Sequence, residues 1–237
     1  MYKDLAKYYD LLYSHLNYRK EAKLIEDLIS KFKKSDGKDL LELGCGTGKH
    51  LKFIKNKFRC IGTDINLQMI EIAKKNVKGV KFQQADMTNL NLNRKFDVII
   101  SLFSSIGYVK TYENLEKTIK NISRHLKPGG FVIIEPWLTK AKFKIGRPYM
   151  LTYKGKDINI CRVNVSKIKG NTTILDFHFL IAEKNKEVKY FRDVHELGLF
   201  DTNKTLDFMK KSGLTAKFIE IGERKDRGMY IATKPLK

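Results

Sequence analysis

The chain has 237 residues, 42% of them hydrophobic, and a formal net charge of +21. That length suits one α/β domain with an elaboration, and no apolar run approaches the roughly 18 residues of a membrane span. The lysines are spread along the whole chain, and Cys45, Cys60 and Cys161 offer neither an even disulfide frame nor metal-ligand spacing, so a basic nucleic-acid-binding arm, a disulfide scaffold and a metal centre are all disfavoured.

Residues 2–34 predict two helical segments, with Leu24, Ile25, Leu28, Ile29 and Phe32 at helical spacing. The tyrosines Tyr8, Tyr9, Tyr13 and Tyr18 fall around their junction. Ser35-Asp36-Gly37-Lys38 breaks the pattern, and a strand is expected over 39–43. Helix 47–57, strand 58–63, helix 66–77 and a short strand 79–83 are expected next. Strand 96–102 is a continuous apolar run, as in a strand covered on both faces. Helix 112–125 meets the stop signal Lys127-Pro128-Gly129-Gly130 and precedes strand 131–135. Such alternation predicts right-handed βαβ units and a largely parallel sheet.

After Pro136 the pattern changes. Residues 144–200 are rich in β-branched and aromatic side chains, with turn signals at Lys154-Gly155-Lys156-Asp157 and Lys169-Gly170-Asn171, so two or three antiparallel strands are expected. Helix 203–212 ends at Gly213, and strands 216–222 and 228–234 close the chain. The expected fold is α/β, a Rossmann-like seven-stranded sheet with helices on both faces and a small antiparallel β insert after the fifth strand. The expected organisation is a helical cap over 1–36, a core over 37–138 plus 200–237, and the insert over 139–199.

The most specific signal is Glu42-Leu43-Gly44-Cys45-Gly46-Thr47-Gly48, with Asp64 at the tip of the next strand. Glycines let backbone approach a ligand where a Cβ would collide, and an acid about twenty residues on accepts both ribose hydroxyls. The spacing is G-x-G-x-G, not the G-x-G-x-x-G that cradles a pyrophosphate. Glu42 beside the loop would repel a pyrophosphate and suits a cation. The pattern resembles motif I of the Rossmann-like S-adenosylmethionine-dependent methyltransferases, whose ligand carries a sulfonium and an ammonium. That resemblance implies S-adenosyl-L-methionine as cofactor.

In an open α/β sheet the ligand lies at the carboxyl ends of the strands. The cofactor candidates are therefore Glu42, Gly44, Cys45, Gly46 and Gly48 at the first strand, and Asp64 and Ile65 at the second. Asp86 and Met87 follow the third, where the acid suits an adenine amine and the next backbone N–H a ring nitrogen. Ser101 and Phe103 follow the fourth. Asp64 and Asp86 would also serve as helix N-caps. Tyr9, Tyr13 and Tyr18 read either as pocket walls and cofactor-tail contacts or as a helix packing face.

Phe103-Ser104-Ser105-Ile106-Gly107-Tyr108, Glu135-Pro136-Trp137, His178-Phe179, Asp193-Val194-His195, Leu199-Phe200 and Arg227-Gly228 resemble the nucleotide-deoxysugar N,N-dimethyltransferases. Tyr9-Asp10, Tyr13 and Gly46-Thr47-Gly48-x-His50 extend that likeness to nearly the whole chain. The resemblance implies methyl transfer to the amino group of a dTDP-linked amino sugar, an anionic small-molecule acceptor, and a homodimer. Tyr108, Glu135, His178 and His195 are then the candidates for taking the amine's proton. Tyr9, Tyr13 and Trp137 are candidate acceptor contacts, and Arg227 a bidentate anion clamp. The histidines also suit simple hydrogen bonding within the insert. One departure is Gly222-Glu223-Arg224-Lys225-Asp226, more charged than the Gly/Ser-rich family version.

Two other readings stand beside this one. The acceptor is another small amine, an amino acid or a hydroxyl compound, or the positive charge serves RNA. The excess of lysine over arginine argues against the last, since base and phosphate recognition leans on arginine's planar fork. No membrane association is expected. The start of the chain lacks the apolar core of a secretory signal, so a cytoplasmic location is expected.

Overall fold

The computed structural model describes residues 5–221 and 227–236. Helices α1 (Ala6–Leu12) and α2 (Tyr18–Phe32) come first. Strand β1 (Asp39–Leu43), helix α3 (Leu51–Ile54), strand β2 (Arg59–Asp64), helix α4 (Leu67–Asn76) and strand β3 (Lys81–Gln84) follow. Strand β4 (Phe96–Ser101), helix α5 (Tyr112–His125) and strand β5 (Leu126–Ile134) complete the first run. Then come β6 (Pro148–Lys154), β7 (Ile158–Lys169), β8 (Thr172–Glu183) and β9 (Lys189–Gly198), and finally α6 (Thr202–Lys211), β10 (Thr215–Ile219) and β11 (Met229–Thr233).

The main sheet has seven strands in the order β10-β11-β5-β4-β1-β2-β3. Its first five strands pair in parallel, and β11 runs antiparallel to both β5 and β10. The expected α/β sheet is therefore present. Its central strands alternate sides, as the period of two demands. Leu40, Val98, Phe131 and Ile231 face the layer of α2, α3 and α4, while Leu41, Ile99 and Val132 face α5 and α6. Side-chain caps set where the helices start: Asn17, Asn66, Thr111 and Asp201 each accept a backbone N–H of the first turn.

Several boundaries differ from the sequence reading. The helix expected over 47–57 is a single turn, because Gly48 holds φ +78° and the chain is still turning until His50. The third strand starts at Lys81, two residues past Gly79, whose φ is +77°. The fifth strand begins at Leu126 and absorbs Pro128-Gly129-Gly130 through a register shift against β4 between Phe96 and Val98.

The insert has four antiparallel strands, in the order β6-β7-β8-β9, not two or three. The turn between β8 and β9 carries neither Gly nor Pro. Asn185 supplies its left-handed residue at φ +58°, a weaker signal than the glycines at the other turns. The inner face of this sheet packs Ile160, Leu175, Phe177, Phe179 and Leu197 against Leu5, Tyr8 and Leu12 of the N-terminal segment. The outer face leaves Met150, Val163, Val165, Leu180, Tyr190 and Val194 exposed. Helix α1 links the two sheets. Tyr8 donates to Glu183 of β8 at 2.5 Å, and Asp10 accepts from Thr47 in the glycine loop at 2.6 Å. Among the described residues, no helix is long and apolar enough to cross a membrane.

The amino ends of the strands carry a charge cluster. Asp97, buried, accepts the Asp39 N–H at 2.9 Å and pairs with Lys127 at 2.8 Å. Asp39 pairs with Arg59, Arg94 and Lys127. Arg59 and its fellow cations hold the Asp39 carboxyl down at about 2. Replacing Asp97→Ala is expected to cost about 1.5–3 kcal/mol of stability in urea unfolding, the worth of hydrogen bonds to a charged group. Ligand binding should be unchanged, because this cluster lies at the opposite end of the strands from the site.

Candidate active site

A cavity of about 910 Å³ opens at the carboxyl ends of β1, β2, β3 and β4 and is closed from the other side by α1 and the insert. It sits near the upper end of the roughly 300–1,000 Å³ usual for small-molecule sites. The sheet supplies one wall. Glu42, Gly44, Cys45 and Gly46 come from β1 and its loop, Asp64 and Ile65 from the tip of β2 and the residue after it, Asp86 and Met87 from the turn after β3, and Phe103 from the turn after β4. Tyr9, Tyr13, Tyr18, Tyr108, Trp137 and Arg227 complete the predicted residues that line it.

The glycine loop is built by backbone geometry. Gly44 has φ +69°, and a Cβ there would lie 2.5 Å from the Ser105 Cβ. Gly46 has φ +53°, and a Cβ there would meet nothing within 4 Å, so the loop leaves open space toward the cavity. Gly46 donates its N–H to Asp64 Oδ2 at 2.9 Å, and Asp64 Oδ1 accepts from Asn66 N–H at 2.9 Å. Gly48 does not line the cavity. A Cβ there would lie 3.0 Å from the Phe82 ring, so this glycine serves helix-to-strand packing.

Acids concentrate at this wall. Glu42 is buried within β1, and His50 lies between it and Glu21 of α2: Nδ1 is 3.4 Å from Glu42 and Nε2 is 2.8 Å from Glu21. Burial opposes charge on His50, but the two carboxylates outweigh it and push the imidazole up to about 9. The ring is therefore an imidazolium at neutral pH. Burial raises the carboxyls of Glu42 and Asp64. Glu42 Oε2 has no hydrogen-bond partner among the described residues. Tyr18 packs edge-on to His50 at 5.2 Å. Asp86 Oδ1 caps the turn Met87–Asn89 by accepting from Thr88 N–H and Oγ, each at 2.8 Å, so it acts as a cap and still lines the cavity. Burial raises the Cys45 thiol well above its usual range, which makes it a small wall residue and no nucleophile.

Past β4 the backbone is strained. Phe103 and Ser104 both hold positive φ, at +53° and +61°. Glu135 fixes this bend, its Oε2 accepting the Phe103 N–H at 2.9 Å, and Ser104 donates to Pro136 O at 2.7 Å. Glu135 is buried and does not line the cavity, and its hydrogen bond from the Phe103 N–H holds the loop. Ser101 is likewise buried in β4 and outside the cavity wall. His178 lies on the outer face of the insert, with Nδ1 2.7 Å from Tyr190 Oη and Asp176 nearby. The alternation along β8 puts it opposite Phe177 and Phe179, which excludes it from the cavity.

The insert side is basic. Arg162 on β7 is buried beneath the rings of Phe177 and Tyr13 and donates to Tyr13 Oη at 2.8 Å. Arg227 lies 4.5 Å over the Trp137 ring and donates to Ser104 Oγ at 2.8 Å. Lys142, Lys144 and Arg147 line the same part. The segment Gly222-Glu223-Arg224-Lys225-Asp226 lies outside the described residues. Tyr108 reaches the cavity, and its Oη is 2.6 Å from Nδ1 of His195, which is itself buried behind it.

A methyltransferase-domain family model matches residues 40–130. The dTDP-3-amino-3,4,6-trideoxy-alpha-D-glucopyranose N,N-dimethyltransferase of Streptomyces venezuelae is 33% identical over 231 residues, covering 96% of this chain and 97% of its own. The crystal structure of Streptomyces venezuelae DesVI superposes with a TM-score of 0.91 at 32% identity, covering 98% of this chain and 99% of that one. The chain belongs to the nucleotide-amino-sugar N,N-dimethyltransferases, a family of class I S-adenosylmethionine-dependent methyltransferases. A second relative, the dTDP-3-amino-3,6-dideoxy-alpha-D-glucopyranose N,N-dimethyltransferase of Streptomyces fradiae, is 26% identical over 230 residues, covering 96% of this chain and 89% of its own.

The residues present fit this methyltransferase family's donor. Glu42 and Asp64 put two carboxyls on this wall, and the Glu42 Oε2 that has no hydrogen-bond partner among the described residues suits a positively charged donor group. Glu21 and Arg162 were not singled out in the sequence. Helical spacing marks Glu21 only as a solvent-side acid, and its partner His50 lies 29 positions away.

The sign of the His50 effect is testable. A histidine raised from 6.5 to about 9 stabilises the fold fully below about pH 6.5, and that contribution is lost as pH rises through about 9. Wild-type stability in urea should fall by on the order of 3 kcal/mol between pH 7 and pH 10 beyond any loss in His50→Gln. Parallel pH curves for the two proteins would remove the buried imidazolium.

Proposed function

We propose that the chain methylates the amino group of a nucleotide-linked amino sugar. The observation that carries this reading is the polarity of the cavity: the carboxylates of Glu42, Asp64 and Asp86 at the sheet wall, where Lys49 of the glycine loop is paired with Asp10, and guanidinium and ammonium groups at the insert wall. The first suits a cationic methyl donor, and the second suits the diphosphate of a nucleotide sugar. The names of both Streptomyces relatives give a dTDP-linked amino sugar as their acceptor.

In this reading Glu42 and Asp64 hold the donor's ammonium and ribose, the glycine loop admits its backbone-side edge, and Asp86 with the Met87 N–H faces its adenine. The donor supplies a sulfonium-bound methyl group, transferred in line to the amine as the sulfur recovers the electron pair. The chain's own contribution is alignment, which supplies on the order of 7–11 kcal/mol in well-oriented reactions. Tyr9, Tyr13 and Trp137 wall the acceptor's sugar. Arg227, already held by Ser104 and Trp137, faces the diphosphate with its planar fork. The insert and α1 act as a lid that keeps water from the reacting atoms. We assign the exposed outer face of the insert to the homodimer that the family resemblance implies.

Turnover of a dTDP-3-amino-dideoxyhexose, read by mass spectrometry as one and then two added methyl groups, tests this. Arg227→Ala should raise KM for that acceptor about 10–100-fold while donor binding stays unchanged. Tight donor binding with no turnover of any amino sugar nucleotide would contradict it. Methylation of an uncharged amine equally by wild type and Arg227→Ala would instead favour another small acceptor.

A further inference from the structure

The geometry points to a proton relay, Tyr108–His195–Asp193, in which Asp193 is a positioning residue that sets the imidazole to receive the proton released when an amine is methylated. The inference rests on the amine-acceptor reading above.

The three side chains form one line leading away from the cavity. Tyr108 sits in the 3-10 turn Ser105–Val109 and lines the cavity. Its Oη is 2.6 Å from His195 Nδ1, and His195 Nε2 is 2.9 Å from Asp193 Oδ2. His195 is buried, with the rings of Tyr108 and Phe177 packed at 5.7 and 4.9 Å. His195 and Asp193 are two apart on β9, so the strand's period of two points both to the inner face. The Asp193 side chain is partly open to solvent.

The charged and titratable groups around the line decide its resting state. Arg162 and Asp193 face His195 with opposite effects, and burial, the largest influence, lowers the imidazole below its ordinary range. Tyr108 faces Tyr13, Asp193, Asp64 and Arg162, and burial keeps it a phenol. A neutral imidazole between a phenol and a carboxylate has one good tautomer. Nε2–H donates to Asp193, which leaves the Nδ1 lone pair to accept from Tyr108. A phenol cannot serve as a standing base, but it can pass a proton on.

Each methyl added to an amine leaves one extra proton on that nitrogen, and two methylations require two such losses. In the relay the N–H electron pair stays on nitrogen and the proton moves to Tyr108 Oη. The proton of Tyr108 moves in the same step to His195 Nδ1. The imidazolium so formed lies against the Asp193 carboxylate and then returns its proton to solvent. Charge and atoms balance without any further reagent. Two of the other acids at the sheet wall already accept backbone hydrogen bonds, Asp64 from Gly46 and Asn66 and Asp86 from Thr88, while Glu42 is assigned to the donor's cationic group.

The test uses Asp193→Asn, Tyr108→Phe and the double variant, with the full chain and a dTDP-linked amino sugar. Each single variant should lose about 10–100-fold in kcat, within the range of general-base catalysis, with KM and donor affinity little changed. The double variant should lose no more than the worse single one, because both cut the same line. The monomethylated product should accumulate, and the deficit should narrow toward pH 9, where solvent takes the proton. Nitrogen NMR of His195 gives a readout apart from turnover: Nε2 protonated in the wild type, with the tautomer shifted in Asp193→Asn. Undiminished kcat in Asp193→Asn, multiplying losses in the double variant, or an unmoved tautomer overturns the relay while leaving the acceptor reading intact. Absence of wild-type turnover on any amine overturns the acceptor reading and the relay together.

Discussion

The structure depends on a carboxylate that β1 carries into the protein interior. Glu42 is buried with one oxygen lacking a partner among the described residues, and its other oxygen lies against His50. A buried, half-satisfied charge is costly unless a cation answers it. His50 answers part of that demand and is shared with Glu21, so the region still favours one more positive group. This constraint explains why α2 packs where it does, since Glu21 and Tyr18 of its first turn both meet His50. It also explains why the site suits a cationic donor and disfavours a pyrophosphate.

A second constraint is the bend after β4. Two consecutive non-glycine residues in the left-handed region cost of order 1–3 kcal/mol each and persist only when their surroundings hold them. Here Glu135, Pro136 O and Arg227 converge on Phe103 and Ser104. The bend turns Phe103 toward the cavity and presents Tyr108 one short turn later. Arg227 thus belongs to both the loop's support and the basic end of the site. The same cavity is lined mostly by carboxylates where the sheet ends and by guanidinium and ammonium groups where the insert closes it, an arrangement that suits a cationic donor at one end and an anionic acceptor at the other.

Much of this was legible in the sequence, and for identifiable reasons. The seven-stranded sheet followed from apolar runs alternating with helical spacing, and the place of Glu42, Gly44, Gly46 and Asp64 on the cavity wall followed from the loop's glycine spacing, whereas Gly48 packs against Phe82 instead. What was missed needed distance information. The third insert turn rests on Asn185, where the sequence carries no glycine. Glu135 was a proton-acceptor candidate because it is a carboxylate in a family-like motif, and the sequence did not show that it accepts the Phe103 amide N–H of the strained loop. His178 and His195 sit on strands of the same insert with opposite fates, decided by the parity of their positions relative to the buried face. Arg162 is concealed by alternation: its charge argued for solvent, whereas β7 turns it inward under aromatic rings.

The central claim, that a buried carboxylate at the end of β1 recognises a cationic methyl donor, is tested most directly by calorimetric titration of wild type and Glu42→Gln with S-adenosylmethionine. The account expects saturable one-site binding to the wild type. It expects binding about 10–100-fold weaker in the variant at a temperature where both are folded. No heat from well-folded wild-type protein, or equal affinity in the variant, would contradict it.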